Sequence, residues 1–188
     1  KINEDVVIPL DRMGEYTEGI ERINIELSLA NKLALVDRLE AFLRGGNLPL
    51  WKGDDASEIA TAELLENHVQ EALALLREVG GQWRGWLDGL DRPAAGLGGL
   101  GGLDGPASGE GRTVFQLLQD HTWRASWKAQ IKKPFEQIFA GTALRPIVDE
   151  CQRIHDEVLR GRVWVALHMH AGDGNVHTNI PVNSDNYE

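Results

Sequence analysis

The decapeptide HMHAGDGNVH, residues 168–177, packs three histidines and a Gly-Asp-Gly-Asn run into one short stretch. Neutral imidazole binds zinc, iron, copper, nickel or manganese, so these residue types point to metal chemistry without choosing the metal. Geometry decides whether they can act together. Asp-Gly is the strongest short hairpin signal, and a two-residue loop at Asp173-Gly174 sets His170 opposite His177 and His168 opposite Asn179. Directly opposed residues hold their Cβ atoms about 4.5–5.5 Å apart. Two imidazoles at that spacing can share one ion, with nitrogen at about 2.0–2.1 Å. Strand alternation sends His168, His170, Asn175, His177 and Asn179 to one face, and Val165, Leu167, Met169, Val176 and Ile180 to the other. The bland alternative is a polar surface hairpin whose histidines face water, and a one-residue slip would part the pair. Two or three ligands leave coordination positions open, as a catalytic metal requires. No acidic residue is evidently placed to fill them: Asp173 is used by the turn, and Asp185 and Glu188 sit at the chain's end.

A sheet must carry these residues. GRVWVALHMH supplies a strand from about 162 to 170 and NVHTNIPV its antiparallel continuation at 175–182, while EDVVIP (4–9) is a short β-branched run closed by Pro9. Between them the period becomes helical. Met13, Tyr16, Ile20, Ile23, Leu27, Ala30, Leu33, Val36 and Leu39 predict one long amphipathic helix from Asp11 to Gly45-Gly46. A second opens at Ser57 as N-cap and follows Ala62, Leu65, Val69, Leu73 and Leu76, with GQWRGWLDGL as a loose continuation. A third starts at Thr113 and runs through Leu117, His121, Trp127 and Ile131 to Pro134, PFEQIFAG adds a turn or two, and a last helix spans about Leu144 to Leu159. The expected class is α+β: the first strand beside the hairpin, helices on one face, and a helical insertion at 45–143. Within it, residues 93–112 hold eight glycines and two prolines and read as a flexible loop. That loop is no phosphate cradle, since no strand leads in and no Lys-Ser/Thr follows.

Bulk properties remove several classes. A formal net charge of −10 on 188 residues disfavours a nucleic-acid partner, which is bound through clustered cations. Lys128, Lys132 and Lys133 read as one solvated helix face. No apolar run reaches the roughly 18 residues of a membrane helix, and no secretory signal is present. One cysteine, Cys151, excludes an internal disulfide and fits the cytoplasm. Cys151 and His155 stand four apart, as two ligands on a helix would, but Cys151 falls in the apolar stripe and reads as a core thiol. A chain that opens at Lys1 and stops at Asn186-Tyr187-Glu188 is expected to be a piece of a longer protein.

HAGDGNVH (170–177) resembles the signature of the C-terminal cap domain of FAD-linked oxidases, and EDVVIP followed by a helix resembles that domain's start. This group includes D-lactate dehydrogenase, D-2-hydroxyglutarate dehydrogenase and the glycolate oxidase D subunit. The surrounding sequence is similar to large bacterial FAD/FMN-containing dehydrogenases. The resemblance implies a ferredoxin-like cap, residues 1–188, packed on a separate FAD-binding domain, located in the cytoplasm or at the inner membrane's surface. It implies that His170 and His177 bind a divalent metal, usually zinc, and that Asn175 lies near flavin and substrate. A later Glu-His-Gly segment would supply the last ligand and the base, and a D-2-hydroxy acid would pass hydride to the flavin. Neither the flavin domain nor that segment is on this chain, so the piece alone is expected to be inactive. The chain departs from the pattern in its 160-odd residues between first strand and motif, in Met169 where glycine is common, and in His168 where an apolar residue is usual. His168 is thus an extra ligand, a supporting group or a substrate contact, and Asn179 shares its face. Two other readings stand beside this one. The first is a non-catalytic helical interaction module with a vestigial metal hairpin, suggested by the helical bulk and six tryptophans. The second is a metal-dependent hydrolase, which the lack of a base-like carboxylate disfavours.

Overall fold

The structure, a computed structural model, describes residues 2–50, 62–95, 111–170 and 175–180. Strand β1 (Ile2–Val7) leads through a short 3-10 turn into helix α1 (Met13–Arg44); then come α2 (Ala62–Asp88), α3 (Val114–Gln119), α4 (Lys133–Ile138), α5 (Arg145–Arg160), β2 (Ala166–His170) and β3 (Asn175–Ile180). The class is α+β, mostly helical, with one three-stranded antiparallel sheet in the order β1-β3-β2. Strand β3 pairs antiparallel with both neighbours, so β1 and β2 run parallel with β3 between them. That is a split β-α-β unit whose crossover is the whole helical region. No described helix is long and apolar enough to cross a membrane.

The helices share one core. Leu29, Leu33, Val36, Leu39 and Leu43 of α1 pack with Val69, Leu73, Leu76, Val79 and Trp83 of α2 and with Ile147, Cys151 and Ile154 of α5. The region 45–143 therefore shares its interior with α1 and α5. Where α1 meets α2 the backbones approach closely: a Cβ on Gly80 would stand 3.1 Å from Val36 Cγ1. Cys151 is buried, as its place in the apolar stripe predicts, and His155 stacks on Trp127.

Local chemistry sets the element ends. Thr113 caps α3 as expected and forms a full capping box: its hydroxyl accepts from Gln116 N–H at 3.3 Å, and the Gln116 side chain accepts from Thr113 N–H at 3.0 Å. The same helix does not continue to Pro134. Asp120 accepts from the Thr122 backbone N–H at 2.9 Å, His121 takes φ 63°, and the chain turns. A side chain that bonds the backbone two residues on offers an alternative to the next helical turn. A single π turn, Lys128–Lys132, then leads into α4. Around it the Gln130 side chain joins the turn to α2, accepting from the buried Trp83 indole N–H at 3.2 Å and donating to Gln82 at 2.8 Å.

The strand expected at 162–170 pairs only from Ala166. Just before it, the Val165 N–H donates to Asn24 Oδ1 at 2.7 Å and the Asn24 amide donates back to Val165 C=O at 2.8 Å. One α1 side chain thus replaces a strand neighbour and fastens the sheet to the helix. The first strand lies two residues earlier than EDVVIP suggests, at 2–7, leaving Ile8 and Pro9 to turn toward α1. The Ser57 cap, most of the glycine-rich stretch, the Asp173-Gly174 turn and the end of the strand placed at 175–182 lie outside the described residues.

Candidate functional site

Helix α1 reaches one side of the sheet through Tyr16, and the other side holds most of the polar strand residues. On the α1 side Val176 is fully buried, and Thr178 Oγ1 lies 3.0 Å from the Tyr16 hydroxyl of α1. By alternation the opposite face carries Asp5 from β1, Asn175, His177 and Asn179 from β3, and His168 from β2.

The ladder differs from the sequence expectation by two residues. His168, not His170, is opposite His177; His170 is opposite Asn175, and Asn179 is opposite Ala166 rather than His168. The cause is where the connection is centred, between residues 172 and 173 and not between 173 and 174. Four residues, 171–174, separate β2 from β3, where Asp-Gly alone predicts two. A shift of two keeps every position on its face, because the side-chain period is two, while it changes each cross-strand partner. His170 and His177 become diagonal neighbours, a relation worth about 7–8 Å.

His177 has a neighbour on each flank. Its ring centroid is 6.2 Å from that of His168, with the planes 32° apart. On the other side its Nδ1 lies 2.5 Å from Asp5 Oδ1. An ionised carboxylate only accepts, so the Nδ1 side of the ring is the donor in this contact. This is the arrangement in which a carboxylate fixes the tautomer of a metal-binding histidine. The sequence alone offers no acidic residue for this site, because β1 reads there as a buried apolar run. Asp5 becomes visible only once β1 is laid beside β3, where it pairs with His177.

The donor set can be tested against a metal. Two imidazoles on one tetrahedral ion, with nitrogen at about 2.0–2.1 Å, hold their centroids roughly 5 Å apart, so the His168 and His177 rings must close by about 1 Å. Rotation about χ1 and χ2 of the exposed His168 and half-buried His177 is the movement this would require. Among the described residues, no group of three or more His, Cys, Asp or Glu side chains is placed to hold a metal. The described part of the site is therefore an opposed imidazole pair with a carboxylate behind one ring. Compared with protein families, with curated proteins and with solved structures, the chain matches none.

Proposed function

We propose that this chain is the substrate- and metal-binding cap of a flavin-dependent dehydrogenase that oxidises a D-2-hydroxy acid, lactate-like in size, by hydride transfer to FAD. The observation that carries the reading is the polar sheet face on which Asp5, His177 and His168 form one row across three strands. Two further features support it. The HAGDGNVH stretch resembles the oxidase cap signature, and the split β-α-β order β1-β3-β2 suits three strands of a ferredoxin-like sheet. In this reading residues 45–143 elaborate the crossover of a single cap domain, the flavin sits mainly on another domain of the same polypeptide, and the protein works in the cytoplasm.

The chain's own groups have separable tasks. Asp5 accepts from His177 Nδ1, and in this reading Nε2 is the nitrogen that would take the metal. His170 is the metal partner by resemblance and His168 the one set opposite by register. A divalent cation bound there, zinc by resemblance, would polarise the hydroxyl and carboxylate of the substrate, and the flavin would accept the hydride. Asn175 and Asn179 offer amides on the same face, and a fixed array of donors is what orients a small hydroxy acid.

The test uses the flavin-loaded polypeptide that carries this chain. Mixed anaerobically with a panel of D-2-hydroxy acids, it should lose its oxidised flavin absorbance with one of them, and His177→Ala should slow that loss at least a hundredfold. Protein that holds flavin and metal yet is bleached by no acid overturns the reading. Bleaching unaffected by His177→Ala leaves the chemistry and removes the hairpin from it.

A further inference from the structure

A second cleft lies on the helical side of the molecule. It has a volume of about 360 Å³, sits between the middle of α1, the end of α5 and the segment leading to β2, and no strand residue lines it. Its lining includes an aromatic pair: the Trp127 and His155 rings stack with centroids 4.8 Å apart and planes 14° from parallel. Trp164 and Val158 add apolar surface, and Trp164 stays 44% exposed. An exposed tryptophan beside a half-buried aromatic stack is an unsatisfied apolar surface of ligand-pocket size.

The charge here runs against that of the whole chain. The formal net charge is −10, yet among the described residues no aspartate or glutamate lines the cleft. None lines the neighbouring cleft either, which shares Lys32 and adds Arg124. Lys32 and Arg162 line the first cleft together. The Lys32 ammonium donates to Ser28 Oγ at 2.7 Å, and neither cation has a carboxylate within ion-pair distance among the described residues. Burial, and then the charge of Arg162, lower the pKa of Lys32. Two cations gathered at the edge of an apolar wall, with no carboxylate partner among the described residues, favour an anion that brings its own apolar body.

We propose that this cleft binds a small planar organic anion, an aromatic carboxylate in the simplest case. Its ring lies against the Trp127–His155 wall and its carboxylate is held by Lys32 and Arg162. The site is separate from the histidine-bearing sheet face and does not depend on the flavin reading. Its size fits a one- or two-ring acid, since pockets that enclose small ligands start at about 300 Å³.

The probe is 2-naphthoate, with uncharged 2-naphthalenemethanol as the control, titrated into the chain by calorimetry and by NMR of the indole N–H signals. Naphthoate should move the Trp127 and Trp164 resonances, assigned through Trp127→Phe and Trp164→Phe, and should bind at least tenfold tighter than the alcohol. Lys32→Gln and Arg162→Gln should each weaken naphthoate about tenfold, the loss expected for a charge-assisted hydrogen bond, and leave the alcohol unchanged. His177→Ala should alter neither. Equal affinity for acid and alcohol overturns the proposal even if a cation variant fails to fold, because that comparison uses wild-type protein. Shifts confined to the other tryptophans, or no binding, overturn it too.

Discussion

Asp5 and His177 face each other across the β1–β3 ladder with 2.5 Å between carboxylate and Nδ1, and His168 flanks the same imidazole from β2. The central strand thus places one histidine between a carboxylate that accepts from its Nδ1 and a second imidazole. The row needs all three strands. Neither the hairpin alone nor β1 alone contains it.

If the proposed metal site exists, Asp5→Asn should weaken zinc binding without unfolding the protein. Losing the carboxylate behind a metal-binding histidine costs about 10–100-fold in affinity. The Asp5 side chain is 70% exposed, so its stability contribution should stay within about 0.5 kcal/mol. Calorimetric zinc titrations of wild type, Asp5→Asn and His177→Ala give the comparison, and ¹⁵N NMR of the His177 ring reads the tautomer directly. Equal zinc affinity in wild type and Asp5→Asn would remove the positioning role.

Much of this site is legible in the sequence because strand parity is robust. His168, Asn175, His177 and Asn179 share a face under either register, since a slip of two preserves the alternation. Their partners are not legible, because the centre of the connection depends on where pairing stops and not on which residues favour turns. The helices show the same division. The Thr113 cap is a local pattern that the structure keeps, whereas the α1 stripe holds at Leu33, Val36 and Leu39 but not at Ile23 and Ala30, which are exposed while Leu29 is buried. The break at Asp120, the Asn24–Val165 exchange and the Asp5–His177 contact each depend on one polar side chain finding a backbone or ring elsewhere. Periodicity carries no record of such pairings.

Cys151 should be inert in the folded chain. Burial, followed by the charge of Glu150, pushes its thiol pKa up to about 12, so almost no thiolate exists near neutrality. At pH 8 a disulfide-exchange reagent should label no thiol in native protein and one per chain in guanidinium. Prompt labelling of the native state would show that α5 opens at Cys151 far more often than its packing implies.

The Asp120 turn should give stability a signature at low pH. The Thr122 backbone N–H, then the Thr122 hydroxyl, then Arg112 lower the Asp120 pKa from 3.8 to about 2. A carboxylate with a depressed folded-state pKa contributes fully above its unfolded value and loses that contribution as pH falls through the folded one. The excess stability of wild type over Asp120→Asn should be constant above about pH 5 and shrink between about pH 4 and 2. Urea midpoints at closely spaced pH values measure it. A difference that stays flat across that window would show that the turn does not depend on the charge.

Two adjacent glycines in α2 should respond to alanine with opposite signs. Gly81 faces open space, with no atom within 4 Å of where a Cβ would stand. Alanine there reduces the freedom of the unfolded helix segment at no steric cost and should stabilise by about 0.5–1 kcal/mol. Gly80 has the same helical propensity to gain, but its new Cβ would stand 3.1 Å from Val36 Cγ1. Val36 is 3% exposed and β-branched, so it has little rotamer freedom with which to yield. Overpacking a well-filled core costs about 1–3 kcal/mol, which exceeds the propensity gain. Gly80→Ala should lower the urea midpoint and Gly81→Ala raise it, with the slope of the transition unchanged in both. A Gly80→Ala protein as stable as Gly81→Ala would mean that α1 and α2 can move apart without loss, and that their close approach at Val36 does not hold the core together.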